Sequence, residues 1–194
     1  MNRETITGVI LAGGLGRRMG GVDKGLQLLA GRPLVSHVAE RLAPQVDQLL
    51  INANRSQAEY AALGFPLIAD EIPDFAGPLA GLHAALKASS TPLVATAPCD
   101  SPYLPADLVR RLHAALLASG APLAIARADG RLHPVFCLCR TALCTSLESY
   151  LLDGGRRVAQ WCAEMGAVEV DFDDQAAAFG NFNTLQDLAE NSRP

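Results

Sequence analysis

Short runs of Val, Ile, Leu and Ala alternate along the chain with stretches in which apolar residues return every three or four positions. The first pattern is that of buried strands, the second that of helices with one apolar face. Thr5 to Leu11 reads as a strand that runs into a glycine-rich loop, and Pro33 opens a helix over Leu34 to Leu42, where its missing N–H costs nothing. A strand over Val46 to Ile51 ends at Asn52, Ser56 caps a short helix, and a brief strand over Pro66 to Ala69 ends at Asp70. Gly77-Pro78 leads into a helix over Leu79 to Lys87, and a strand over Leu93 to Ala97 runs toward Asp100. Pro105 to Leu117 is helical. Strands Leu123 to Ala128 and Val135 to Cys139 flank the turn Asp129-Gly130 and are expected to pair antiparallel. Helices Ala142 to Leu152 and Arg157 to Met165, a strand Ala167 to Phe172 and a helix beginning near Thr184 complete the pattern. Alternation of this kind predicts an α/β protein built on a mostly parallel sheet, one domain over residues 1–194, with no internal repeat or linker.

Composition narrows the class. In 194 residues, 49% are hydrophobic and 19% charged, enough apolar material for a core that needs no disulfide or metal staple. The formal charge of −4 and the lack of a basic stripe argue against a nucleic-acid partner. No apolar run approaches the ~18 residues of a membrane span, and Met1 to Glu4 lacks a secretory leader's apolar region, so the expected compartment is the cytoplasm, with no membrane partner. The basic residues are unevenly placed: Arg17, Arg18, Lys24 and Arg32 share a glycine-rich stretch whose acid is Asp23, while Glu164, Glu169, Asp171, Asp173 and Asp174 crowd the other end. A small anion site in an acidic protein fits that distribution. The five cysteines, Cys99, Cys137, Cys139, Cys144 and Cys162, form no C-x-x-C pair and read as buried small hydrophobes.

Gly13, Asn52, Asp70 and Asp100 each fall just past the C-terminal end of a predicted strand, the edge at which open parallel sheets bind ligands. The loop from Leu11 to Lys24 departs from both familiar phosphate loops. Met19 stands where a dinucleotide fingerprint needs its third glycine, and Lys24 is followed by Gly25 where a P-loop needs Ser or Thr. What remains is a glycine-rich nest of backbone N–H groups rimmed by Arg and Lys, chemistry suited to a polyphosphate.

The strand followed by Leu11-Ala12-Gly13-Gly14-x-Gly16-x-Arg18-Met19-Gly20 and Lys24 resembles the signature of the single-domain nucleotidyltransferases. Over nearly the whole chain it is similar to the molybdenum cofactor guanylyltransferases, through Val22-Asp23-Lys24-Gly25, Asn52-Ala53-Asn54-Arg55, Asp70, Gly77 to Gly81, Cys99 to Tyr103, Arg156-Arg157 and Asn181-Phe182-Asn183-Thr184. The resemblance implies a Rossmann-like three-layer sandwich that transfers GMP from GTP to the terminal phosphate of molybdopterin and releases pyrophosphate. It implies Mg²⁺ on Asp100, charge neutralisation by Arg18 and Lys24, and a nucleotide site of Leu11, Ala12, Gly13, Gly14, Lys24, Asn52, Asp70 and Asp100. Asn181 and Asn183 become acceptor contacts, GTP and molybdopterin the substrates, and proteins that handle the molybdenum cofactor transient partners. Asp70 reads either the guanine edge or the ribose hydroxyls.

A phosphomonoester has a second pKa of about 6, so the attacking oxygen is already ionised at neutral pH and no general base is needed. His37, His83 and His113 then read as packing or surface residues, with His133 kept as a candidate substrate contact. Two other readings compete: a nucleotidyltransferase for a sugar phosphate or another pterin, and a non-catalytic nucleotide sensor. The joint presence of Lys24 and Asp100 speaks against the sensor, since base recognition alone needs neither.

Overall fold

The computed structural model describes residues 4–14, 23–72 and 77–182. The first strand, β1, is Ile6–Leu11, followed after the glycine-rich stretch by a 3-10 turn, Lys24–Leu26, and a two-residue ribbon of β2 (Leu28–Leu29) and β3 (Arg32–Pro33). Helix α1 is Leu34–Leu42, β4 is Gln48–Asn52, α2 is Gln57–Ala61 and β5 is Leu67–Ile68. Then come α3 (Pro78–Ala88), β6 (Leu93–Pro98), α4 (Leu108–Ser119), β7 (Leu123–Ala128) and β8 (Arg131–Arg140). Helices α5 (Cys144–Leu152) and α6 (Val158–Glu164), strand β9 (Val168–Asp171) and a 3-10 segment, Asp173–Phe179, follow.

Seven strands form one sheet in the order β5-β4-β1-β6-β8-β7-β9. Its left half is parallel throughout, β8 alone runs against its neighbours β6 and β7, and β7 pairs parallel with β9. The alternation along each strand divides the core in two. Ile6 and Ile10 of β1 face the layer of α1 and α4 through Val35, Val38, Leu42 and Leu112, whereas Val9 faces α3, α5 and α6 through Leu79, Leu82, Leu147 and Trp161. This is the expected three-layer α/β sandwich with a mostly parallel sheet. No helix among the described residues is long and apolar enough to cross a membrane.

Several boundaries move. The hairpin strand after Gly130 starts at Arg131 instead of Val135, with a register shift between Ile125 and Ala126 that accommodates the extra length. Pro33 pairs with Leu28 in the ribbon and precedes α1 instead of occupying its first turn. Helix α4 begins at Leu108, because the Pro105 carbonyl is taken by a turn from the Leu108 N–H. The helix expected near Thr184 lies outside the described residues.

The topology positions the site. β1 connects to β4 on one side while β6 joins it on the other, so the chain reverses direction across the sheet at β1. Leu11 is in register with Asn52 and with Pro98, and Asn52 with Ile68. The residues that follow each strand therefore emerge side by side at a topological switch point, where a crevice forms in open sheets of this kind.

Candidate active site

The ladder continues one step past the strand ends. Ala12 N–H donates to the Asn52 carbonyl (2.8 Å), Cys99 N–H to the Leu11 carbonyl (3.1 Å), and Ala53 N–H to the Ile68 carbonyl (2.9 Å). These bonds hold four segments at one edge and bring Gly13, Asn52, Asp70 and Asp100 to it, as the sequence implied. The Ala12 N–H is thereby occupied within the fold.

On the β4–β5 side the polar groups interlock. Asn52 is buried, and its Nδ2 donates to Asp70 Oδ1 (2.9 Å). Asn54 donates from Nδ2 to Asp70 Oδ2 (2.7 Å) and to the Gly13 carbonyl (3.4 Å), and its Oδ1 accepts from the Asp70 N–H (2.8 Å). Each carboxylate oxygen of Asp70 is thus oriented by an amide and keeps lone-pair capacity for a ligand donor. Arg55 ties in the next residue by donating to the Gly14 carbonyl (3.1 Å). Asn54 was visible in the sequence only as part of a shared motif. Its bridging role could not be read there, because it depends on Asp70 and Gly13, 16 and 41 residues away.

Helix α3 closes over this cluster. Gly77, at φ +73°, turns the chain into Pro78, and Gly81 lies against Asn52. A Cβ on Gly81 would stand 2.5 Å from Asn52 Oδ1 and 3.0 Å from Leu11 Cδ2. Alanine normally gains about 1 kcal/mol over glycine in a helix. Here it displaces a buried amide whose lost hydrogen bond costs about 1–3 kcal/mol, so the loss wins. Gly81→Ala is expected to lower Tm, which thermal unfolding of the variant checks.

On the β6 side, Asp100 is buried and Lys24 Nζ lies 3.4 Å from its Oδ2. Burial pushes the Asp100 carboxyl above its usual range, while Lys24 pulls in the opposite direction. The Asp100 carbonyl accepts from the Phe182 N–H (2.9 Å), and Ser101 Oγ donates to Asn181 Oδ1 (2.7 Å). Asn181 is therefore brought to the Asp100 turn. Arg18 and Asn183, the other sequence-derived candidates, lie outside the described residues.

The histidines stand apart from these groups. His37 bonds the Leu29 carbonyl, His83 is buried near Glu148, and His113 lies 3.6 Å from Glu4. His133 packs against Phe136 and Phe179, and burial lowers its pKa, which favours the neutral ring. Among the described residues no group of three His, Cys, Asp or Glu side chains is placed to hold a metal ion. The five cysteines are free thiols, four of them buried.

Residues 8–168 match the MobA-like NTP transferase domain. The chain is 54% identical over 191 residues to a molybdenum cofactor guanylyltransferase of Cupriavidus taiwanensis, covering 96% of each protein. The chain belongs to the molybdenum cofactor guanylyltransferase family. As a nucleotidyltransferase of that family it has the expected fold: the Archaeoglobus fulgidus molybdopterin-guanine dinucleotide biosynthesis protein A superposes with a TM-score of 0.77, at 24% identity, over 96% of both chains. A 2-C-methyl-D-erythritol 4-phosphate cytidylyltransferase from Thermus thermophilus shares it as well, with a TM-score of 0.68, 19% identity and coverage of 95% and 96%. The fold is thus common to proteins named for different nucleotides, so the fold by itself does not set the choice of base.

Proposed function

We propose that the chain, as one domain over residues 1–194, transfers GMP from GTP to the terminal phosphate of molybdopterin and releases pyrophosphate. The observation that carries the chemical step is the buried Asp100 carboxylate beside the Lys24 ammonium at the adjoining ends of β1 and β6. An oxygen of the acceptor phosphate attacks the α-phosphorus, and the bond to the departing pyrophosphate breaks. The acceptor is already an anion, so the site's work is alignment and charge neutralisation, the usual division in phosphoryl transfer. We assign to Lys24 and Arg18 the neutralisation of the triphosphate, to which the backbone of Gly13 and Gly14 would add neutral donors.

The donor set at Asp100 fits Mg²⁺: a hard carboxylate, buried, with its pKa raised by desolvation that a cation would offset. Asp100 would hold the ion together with substrate phosphates, and the ion would neutralise charge as pyrophosphate departs. For the nucleotide, the backbone of Leu11, Ala12 and Gly13 forms the edge facing guanine, and Asn52 and Asn54 present Asp70 to the base or to the ribose hydroxyls. Asn181 and Asn183 are assigned to the acceptor, and Ser101 orients Asn181 for that role. We place the reaction in the cytoplasm, with transient contacts to proteins that handle the molybdenum cofactor.

Pyrophosphate release, measured with molybdopterin as acceptor and each nucleoside triphosphate in turn, tests this reading; no release with GTP overturns it. Lys24→Ala is expected to lower kcat as well as kcat/KM, by about tenfold to a hundredfold, because its interaction strengthens as charge moves onto the leaving group. Steady-state kinetics at saturating GTP check the point. An unchanged kcat would confine Lys24 to ground-state binding.

A further inference from the structure

Tyr60, on α2, is wholly buried, and its hydroxyl donates to Asp23 Oδ1 at 2.5 Å. A phenylalanine would fill the same volume without the cost of burying a hydroxyl, so the oxygen at this place is explained by Asp23. Asp23 begins the 3-10 turn that carries Lys24: its carbonyl accepts from the Leu26 N–H, and Gln27 Nε2 bonds the same carbonyl. Gly25 is wedged behind that turn. A Cβ there would overlap the Tyr60 hydroxyl and stand 3.3 Å from Cys99 Sγ, on the residue before Asp100. Three consecutive residues are thus set against two walls, with Asp23 on Tyr60, Lys24 on Asp100, and Gly25 between Tyr60 and Cys99.

We propose that Tyr60 is a positioning residue for the transfer reaction. Its hydroxyl engages the Asp23 carboxylate and clamps the Asp23–Gly25 turn, and this sets the Lys24 ammonium against Asp100. The inference rests on the role given to Lys24 above. A carboxylate adjacent in sequence to a phosphate-binding lysine competes with the substrate for that lysine and for a cation. Held by a hydroxyl, it competes less. Burial, with Cys99 and Asp23 alongside, pushes the phenol's pKa far up, so the group remains a donor throughout the working pH range.

The chain has two lysines, Lys24 and Lys87, so two lysine ammonium resonances can be followed by nitrogen-15 NMR and assigned with Lys87→Arg. Tyr60→Phe is expected to shift the Lys24 resonance and leave that of Lys87 in place. It is also expected to lower kcat about tenfold while leaving KM for molybdopterin unchanged. Asp23→Ala should reproduce both effects, and the double variant should be no worse than either single one, because both changes break one interaction. A Lys24 resonance unmoved in folded Tyr60→Phe, or additive losses in the double variant, would overturn the proposal. The NMR result requires no turnover, so a failure of the guanylyltransferase reading appears separately: the Lys24 resonance moves in Tyr60→Phe while the unmodified protein transfers no GMP.

Discussion

Asp100→Asn is expected to keep the fold and lower the rate of GMP transfer by about two to three orders of magnitude. The substitution preserves shape and a carbonyl oxygen for Lys24 but removes the charge that a cation and the lysine require. Its effect on stability runs the other way. A carboxyl whose pKa is raised in the folded chain binds more protons folded than unfolded, so native stability falls as pH rises through the interval between the usual carboxylate value and the raised one. Asparagine removes that penalty, and the variant's Tm at neutral pH should equal or exceed that of the unmodified protein. Transfer at limiting Mg²⁺ should weaken as pH falls through the raised Asp100 pKa, and more Mg²⁺ should move the fall to lower pH, since the ion binds the ionised form. Initial rates across a pH and Mg²⁺ grid, with thermal unfolding of the variant, check the set. Transfer by Asp100→Asn at the unmodified rate would reduce Asp100 to a turn residue.

GTP should be used in preference to CTP and ATP by about two orders of magnitude or more in kcat/KM with molybdopterin as acceptor. The reason lies in what guanine offers: N1–H and N2–H₂ donors that need fixed acceptors. The Asp70 carboxylate, held through one oxygen by Asn52 and through the other by Asn54, would be such an acceptor if it faces the base. Adenine or cytosine leaves it unpaired, at a cost of about 1–3 kcal/mol for each group stranded from water. Asp70→Ala separates two roles for this carboxylate. A narrowed preference means that it reads the base; an equal loss with all three nucleotides means that it holds the ribose. Equal use of CTP and GTP by the unmodified chain would remove the assignment to GTP while leaving the fold and the phosphate chemistry standing.

Elements with a strong period were legible from sequence because each carries its own signal. Apolar runs such as Ile6–Leu11 and Leu93–Pro98 and the amphipathic Leu34–Leu42 are set by residues a few positions apart. The β2–β3 ribbon was not legible, since two-residue strands have no period to detect. The 3-10 segment Asp173–Phe179 was missed for a related reason: its conformation turns at Gln175, and no repeat marks it.

By itself, then, the sequence determined the class of the protein and the chemistry at its edge. The glycine-rich loop, Lys24, and the polar residues following the strands are local features, and strand periodicity says which end of each strand they occupy. Only the tertiary structure decided which of them meet. The order β5-β4-β1-β6 places Lys24 beside Asp100, 76 residues on, and the register of Leu11 with Asn52 lets Asn52 and Asn54 grip Asp70. It likewise seats Tyr60 on Asp23 and Ser101 on Asn181, pairs 37 and 80 residues apart. Contacts of that span depend on strand pairing and register, where a slip of one residue turns every side chain to the opposite face, and no local pattern encodes them.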